Sequence, residues 1–325
     1  MNLELGKILI TGGAGFIGSH LTEILIENKS KVIVLDNLSS GLKSNLEKCN
    51  NRKNFELIVD EIENLEENSS ILKNVKTVFH IAADPEVRTG YETPELAYNQ
   101  NIKNTFILLE NIRKYDIDRF VFASSSVVYG EPEILPTAEN YGPLLPISVY
   151  GGSKLACEGL VSSYCHTYGI KGTIVRFANV IGTRSRHGVI WDFIKKLENN
   201  QKELEVLGNG KQVKSYIHVN DCINAILFCL ENSKNQIDVF NIGNKDQIDV
   251  LNIGSIVCKS LGLENVQIST KGGTKDGRGW IGDIKNMQLD ISKVVNLGWN
   301  PKLNSKQSVK KATREIINEN KDQSP

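Results

Sequence analysis

The sequence predicts an α/β fold, a doubly wound parallel sheet with a smaller α/β substrate-binding lobe. Three observations predict it. Short β-rich runs alternate with longer helical patterns through the first half, and the runs are too continuously apolar for a sheet buried on one face. A turn carrying Gly12, Gly15 and Gly18 joins the first apolar run to the first helical pattern. An acid, Asp36, closes the second apolar run, KVIVL at 31–35.

Taken in order, strands are expected over 7–11, 31–35, 54–59, 76–81, 119–124 and 171–177, with helices over 15–28, 93–114 and 150–168. Beyond about residue 180 the rhythm loosens. Strands at 204–207 and 238–242 mix with helices at 189–198, 220–231, 249–261 and 306–318, and glycine-rich loops interrupt at 208–210 and 272–282. The expected division is therefore 1–180 for a cofactor-binding domain and 181–325 for a substrate-binding lobe, with 213–243 a candidate to cross back. The polar tail from Asn318 is expected to fray.

A chain of 325 residues can bury a large core. Lys+Arg and Asp+Glu both number 38, so there is no electrostatic case for nucleic acid or an acidic membrane surface. No run of about eighteen apolar residues exists to span a bilayer, and the first residues enter a strand without the pattern of a signal peptide. The six cysteines, at 49, 157, 165, 222, 229 and 258, form no C-x-x-C and read as free core thiols. That points to a reducing, cytoplasmic compartment. The five histidines show no ligand spacing, so no metal is expected.

The stretch KILITGGAGFIGSH, Lys7 to His20, is a strand, a glycine turn and a helix start. Backbone N–H groups at such a turn point at an anion, and absent Cβ atoms let a pyrophosphate approach. Asp36 follows Gly18 by 18 residues, near the spacing of a carboxylate that holds the adenosine ribose. No arginine follows directly to pair with a 2′-phosphate, which favours NAD over NADP.

The fifth strand ends in Ser124-Ser125-Ser126, and ligands in open parallel sheets sit at the carboxyl ends of strands. Serines there also serve as ordinary caps. Twenty-five residues after Ser125 comes Tyr150-Gly151-Gly152-Ser153-Lys154. On a helix Tyr150 and Lys154 share a face. A phenol with a pKa near 10 becomes a base at neutral pH only beside a cation in a poorly solvated site. Lowering it by roughly 3 units corresponds to about 4 kcal/mol. A single Y-x-x-x-K is common on surfaces. It is the ordered set of glycine turn, strand-end acid, serines and Y-x-x-x-K that points to hydride-transfer chemistry.

With these motifs the chain resembles the extended short-chain dehydrogenases/reductases, in the nucleotide-sugar epimerase/dehydratase group. The resemblance runs from 7 to about 318 and rests on TGGAGFIGSH, Asp36-Asn37, FHIAA at 79–83, NIKNT at 101–105, SSSVVYG, YGGSK, RFANVIG at 176–182, SYIHV at 215–219 and FNIG at 240–243. HGVIWDFIKKL at 187–197 and DGRGWIGD at 276–283 look most like archaeal-type UDP-glucose (UDP-galactose) 4-epimerases.

The resemblance implies a Rossmann domain, NAD as cofactor and a UDP-sugar as substrate. It places the base at Tyr150, its pKa-lowering partner at Lys154, and the hydroxyl that meets the sugar 4-oxygen at Ser125. Cofactor contacts are implied for Gly12, Gly15, Phe16, Ile17, Gly18, Asp36, Asn37, Ser39, Gly41, Asp60, Glu61, Ala82, Ala83, Asn101 and Ser124, besides Tyr150 and Lys154. Substrate contacts are implied for Ser125, Ser126, Tyr150, Asn179, His187, Val189, Lys214, Arg278 and Met287.

Two positions depart from the family pattern. Lys214 stands where an arginine usually binds phosphate, and lysine lacks the bidentate fork. Trp280 stands at the other arginine position, with Arg278 two residues earlier as a replacement. Met287 falls where related epimerases limit the C2 substituent, so N-acetylated sugars are a further expectation.

Dehydration is disfavoured, because the acid and base that usually follow the strand-5 Ser/Thr are replaced by Ser126 and Val127. A UDP-glucuronate 4-epimerase or decarboxylase and a UDP-GlcNAc 4-epimerase remain alternatives. So does a non-catalytic NAD-sensing protein, although such proteins usually lose the tyrosine or lysine that this chain keeps. The helices at 93–114 and 150–168 carry apolar stripes that suit packing on the sheet equally well; the resemblance implies that this pair of helices forms a homodimer interface.

Overall fold

The structure is a computed structural model that describes residues 4–67, 69–87 and 89–322. Its strands, in chain order, are β1 (Lys7–Thr11), β2 (Lys31–Asp36), β3 (Phe55–Val59), β4 (Val75–His80), β5 (Arg119–Ser125), β6 (Lys171–Phe177) and β7 (Asn179–Ile181). They continue with β8 (Glu203–Leu207), β9 (Val213–Lys214), β10 (Tyr216–His218), β11 (Ile237–Ile242), β12 (Ile248–Asp249), β13 (Gln267–Lys271) and β14 (Asn286–Met287). The α-helices are α1 (Phe16–Glu27), α2 (Thr89–Glu92), α3 (Pro94–Ala97), α4 (Asn104–Ile112), α5 (Val149–Tyr168), α6 (Val189–Asn199), α7 (Val219–Asn232), α8 (Val250–Ser260), α9 (Ser292–Asn296) and α10 (Ser305–Asp322).

A seven-stranded sheet in the order β11-β6-β5-β4-β1-β2-β3 forms the first scaffold. From β5 to β3 its pairings are parallel, with Leu9 opposite Ile33 on one side and Val78 on the other. The order reverses at β1, where chain direction across the sheet switches, and such switch points hold dinucleotides. Both faces are covered. Ile8, Leu9 and Ile10 are wholly buried, and β2 is buried from Val32 to Asp36. That accounts for the unbroken apolar runs.

The chain divides into two compact units. The first comprises Met1–Val128, Val149–Arg176 and Ile223–Phe240, and the second Tyr129–Ser148, Phe177–Cys222 and Asn241–Pro325. The expected cut near 180, with 213–243 a candidate to cross back, thus becomes a more interleaved one. The segment after β5 leaves for the second unit, because Gly130 bridges Leu145 and Thr137 bridges Leu289. Most of helix α7 and most of β11 return to the first. The second unit has its own core of Phe193, Leu197, Leu204, Val257, Val309 and Ile316. It also contains a β8–β13 parallel pair and a three-stranded β12-β9-β14 sheet that the sequence reading does not contain.

Two expectations need correction. The helix expected over 93–114 runs from Pro94 to Ile112 but is not α-helical throughout, since Tyr98–Lys103 forms a π-helical segment between α3 and α4. The tail expected to fray from Asn318 continues α10 to Asp322, anchored by buried Ile316 and Ile317; residues 323–325 lie outside the described residues, as do residues 1–3.

Candidate active site

The glycine turn is shaped by contacts that admit no side chain. Gly12 has φ +71°, and a Cβ there would come within 2.6 Å of the Ala82 nitrogen. A Cβ on Gly18 would lie 2.1 Å from the Gly12 carbonyl oxygen, so α1 packs directly on the turn. Gly15 is the N-cap of α1 and offers no side-chain acceptor to the first-turn N–H groups. Those donors remain for an anion, and Phe16 and Ile17 open the helix beside them.

Asp36 ends β2 and is 7 % exposed. Its Oδ2 accepts the Ala14 N–H at 2.8 Å and its Oδ1 accepts the Leu38 N–H at 2.9 Å. Each oxygen retains a lone pair for a ribose hydroxyl. Gly41 packs on this carboxylate, since a Cβ there would meet Asp36 Oδ1 at 2.8 Å. Asn37 accepts from Ser39 and donates to both Glu61 oxygens, and Asp60 receives the Glu61 and Asn64 donors. Ala82 donates its N–H to the Thr11 carbonyl, which extends the β1–β4 pairing, and Ala83 follows, both partly exposed. This arrangement fits a dinucleotide: an uncapped helix N-terminus, a cradle without Cβ atoms and a strand-end carboxylate.

Asn101 does not present a free amide. It is 2 % exposed within the π-helical segment. Its Oδ1 accepts the Asp84 N–H at 2.8 Å, and its Nδ2 donates to the Asp84 carbonyl and to Ser153 Oγ at 3.1 and 2.9 Å. It therefore braces α5, where Ser153 Oγ in turn donates to the Tyr150 carbonyl.

Tyr150, Lys154 and Ser125 come together within the first unit. The Tyr150 phenol shares a hydrogen bond with the Ser125 side chain. Lys154 is 3 % exposed and donates from Nζ to the Ala123 carbonyl at 2.8 Å, with Nζ 4.9 Å from the Phe122 ring centroid and 6.0 Å from that of Tyr150. Burial lowers the Lys154 pKa to about 8, against smaller raising effects of Cys157 and Glu158. Ser126 is buried just past the strand end.

The expected lowering of the Tyr150 pKa is not what this environment produces. Packing around the phenol pushes it well above 10, and Asp84 adds to the rise; the Ser125 hydrogen bond opposes it. Desolvation of the phenolate outweighs the Ser125 hydrogen bond that favours it.

Sequence reading also misses the group behind Lys154. Glu158 lies one turn further along α5. Its carboxylate accepts Arg176 Nε at 2.9 Å, Arg176 Nη2 at 2.6 Å and Ser124 Oγ at 2.5 Å. So Ser124 is committed to this buried acid. An acid at i+8 from Tyr150, on the same helical face, is the signal that could have revealed it.

In the second unit, Lys214 and Met287 face each other across the β9–β14 register. Lys214 Nζ pairs with Asp283 Oδ1 at 2.6 Å, 5.7 Å from the Trp280 ring centroid. Arg278 binds both Glu131 oxygens at 2.6 Å and also Asp276 at 2.6 Å. The Arg278 hydrogen bond holds the Glu131 carboxyl below the usual range. Asn179 donates its amide to the Ser215 carbonyl at 3.0 Å. Met287 is 6 % exposed, His187 is exposed, and Val189 opens α6. Among the described residues no cluster of His, Cys, Asp and Glu could hold a metal ion.

Residues 8–243 match the model of the NAD dependent epimerase/dehydratase family. The chain is similar to a crystallised UDP-galactose 4-epimerase, at 39 % identity and TM-score 0.86, covering 96 % of this chain and 99 % of that one. It is similar to the UDP-glucose 4-epimerase of Thermotoga maritima, solved with UDP-glucose, at 34 % identity and TM-score 0.84, covering 97 % and 99 %. It is also similar to the UDP-glucuronic acid 4-epimerase of Bacillus cereus, solved with NAD and a fluorinated UDP-glucuronic acid, at 30 % identity and TM-score 0.86, covering 96 % and 99 %. The chain belongs to the NAD dependent epimerase/dehydratase family, and NAD is its cofactor.

Proposed function

We propose that this isomerase interconverts UDP-glucose and UDP-galactose by inverting C4 of the sugar. The hydrogen-bonded Ser125–Tyr150 pair, with Lys154 one turn behind it on α5, carries the reading. Bound NAD would supply the chemistry of accepting a hydride from C4 and giving it back. The glycine turn and the start of α1 would hold its pyrophosphate, and Asp36 the adenosine ribose. Asn37, Ser39, Gly41, Asp60 and Glu61 would surround the adenosine half.

Tyr150 takes the proton of the sugar 4-hydroxyl in one half of the cycle and returns it to the 4-keto oxygen in the other. Ser125 orients that oxygen. Because burial keeps the resting phenol protonated, base strength has to come from positive charge gathered beside it. Lys154 is one source of that charge, and the oxidised cofactor is the other. The UDP anchor would be held by Asn179, His187, Val189, Lys214 and Arg278. It lets the keto sugar turn over without being lost.

Similarity to a UDP-galactose 4-epimerase at 39 % identity supports a neutral hexose. Lys214, Arg278 and Lys285 already meet Asp283, Glu131 and Asp276 in ion pairs, so a diphosphate must share those cations. We also propose a homodimer through α4 and α5. In support, Phe106 on α4 and Tyr168 on α5 are exposed at 45 % and 47 %. All six cysteines are buried and outside any disulfide, consistent with work in a reducing cytoplasm, and no described helix is long and apolar enough to cross a membrane.

The test is incubation of the purified protein, without added reductant, with UDP-glucose, UDP-GlcNAc and UDP-glucuronate, products being read by NMR. Appearance of UDP-galactose without net NADH is the expected result. Carbon dioxide release, turnover of UDP-glucuronate alone, or of UDP-GlcNAc alone, overturns the assignment. Tyr150→Phe is expected to lower turnover about a hundredfold or more. Binding of NAD without turnover of any sugar, unchanged by Tyr150→Phe, would mark a sensor instead.

A further inference from the structure

Two side chains of opposite charge are buried behind the candidate base, and the chemistry above leaves them unused. Glu158 and Arg176 have side chains 8 % and 6 % exposed, and their contact is bidentate. Burying an ion pair in a core is weakly stabilising at best, and well-packed apolar residues often do as well. A pair kept there calls for a reason in position rather than in stability.

The position is specific. Glu158 accepts from Ser124, and Ser124 sits between the two residues of β5 that touch the candidate machinery. Its neighbour Ala123 accepts from the Lys154 ammonium, and its neighbour Ser125 shares a hydrogen bond with the Tyr150 phenol. Glu158 itself stands on α5, one turn beyond Lys154 and two beyond Tyr150. Arg176, on β6, ties the same carboxylate to the adjoining strand. With Ser124 and two Arg176 donors in place, the carboxylate holds β5, β6 and α5 in one register. We propose that Glu158, fixed by Arg176 and Ser124, is a positioning residue that sets the end of β5 against α5 so that Ala123 and Ser125 meet Lys154 and Tyr150. The proposal rests on Tyr150 and Lys154 carrying the chemistry.

Charge adds a second consequence. The groups facing Lys154 are Tyr150, Cys157 and Glu158 on its own helix, neutral His80 on β4, the Phe122 ring and the Ala123 carbonyl on β5, and Arg176 behind Glu158 on β6. Asp84 acts on Tyr150 from the loop after β4. Within this set Glu158 favours the Lys154 ammonium and Arg176 tempers that effect. Removing either changes the charge near Lys154, with opposite signs.

The experiment compares Glu158→Gln, Arg176→Met and the double variant Glu158→Met/Arg176→Met with Tyr150→Phe. All are studied as NAD-loaded protein, with bound cofactor quantified and thermal midpoints measured. Glu158→Gln is expected to lower kcat about tenfold or more while KM for the UDP-sugar stays within about twofold, because misplaced reacting groups cost rate rather than anchoring. The alkaline fall in activity is expected to move to lower pH in Glu158→Gln and to higher pH in Arg176→Met, by about one unit each. If the charge-changing variants do not fold, the double variant decides. It removes the clamp without leaving a lone buried charge, and its kcat is expected to fall with the pH profile in place. Unchanged kcat per NAD-loaded molecule with only a lower thermal midpoint, or shifts of the same sign in the two single variants, overturns the positioning role. An active Tyr150→Phe overturns the underlying assignment, which is a separate failure.

Discussion

Lys154 shows at a single residue how function and stability pull apart. Burial depresses its pKa to about 8, so the folded protein holds a cation that the unfolded chain would hold more easily. Between about pH 8 and 10.5 the unfolded state binds more protons, so stability rises with pH across that window. Below pH 8 the penalty is present in full and is on the order of 3 kcal/mol. Lys154→Met also forfeits the hydrogen bond to Ala123, a loss of about 1 kcal/mol. The variant is therefore expected to melt higher than wild type at pH 7, lose that advantage near pH 10, and turn over almost no substrate. Calorimetry at the two pH values checks it, and a lower midpoint at pH 7 contradicts it.

Between elements, two junctions hold the sheet's switch point. The first is His80, wholly buried, whose Nδ1 meets Thr11 Oγ1 at 2.7 Å and whose Nε2 meets Thr105 Oγ1 at 2.9 Å, joining β4 to β1 and α4. Burial, helped by the nearby Lys154 charge, lowers its pKa to about 3. The imidazole stays neutral in the fold while the unfolded chain takes a proton below about pH 6.5. Stability is therefore lost as pH falls from 6.5 towards 3, by up to about 4 kcal/mol. In urea titrations His80→Gln should be less stable than wild type at pH 7 yet show a shallower decline down to pH 4. An equal slope would remove His80 from the account. The second junction is Gly18, where an added Cβ meets a carbonyl of the turn rather than a movable side chain. Gly18→Ala is expected to lose about 2 kcal/mol or more and most bound NAD, read by denaturation and by cofactor absorbance.

At the scale of the molecule, each compact unit has its own core, and the chain passes between them several times. Residues that act together are therefore scattered in sequence: Glu131 pairs with Arg278, and His218 with Glu315 at 2.8 Å. The proposed homodimer belongs at this scale too. Phe106 and Tyr164 meet edge-on with centroids 6.3 Å apart, leaving much of Phe106 exposed on α4. Phe106→Glu should convert the protein to monomers in sedimentation velocity with each monomer's helix content kept. A wild type that sediments as a monomer refutes the dimer.

How far the residues alone could be read follows from the range of the forces involved. The strands β1 to β6, the helices α1 and α5 and the turn at Gly12 were legible, because continuous apolar runs, 3.6-residue periodicity and glycine spacing are local signals. The pairing of Tyr150 with Lys154 was legible for the same reason, since helical geometry alone puts them on one face. The short strands β9, β12 and β14 were not, because two residues carry no periodicity. Nor were the partners that occupy Asn101, Lys214 and Arg278, or the clamp of Glu158 on Ser124 and Arg176. By itself the sequence determined the class of fold, the glycine turn after β1 and the shared helical face of Tyr150 and Lys154. Only tertiary structure decided their protonation and their partners, because desolvation and hydrogen bonding depend on neighbours that the chain brings together from far apart.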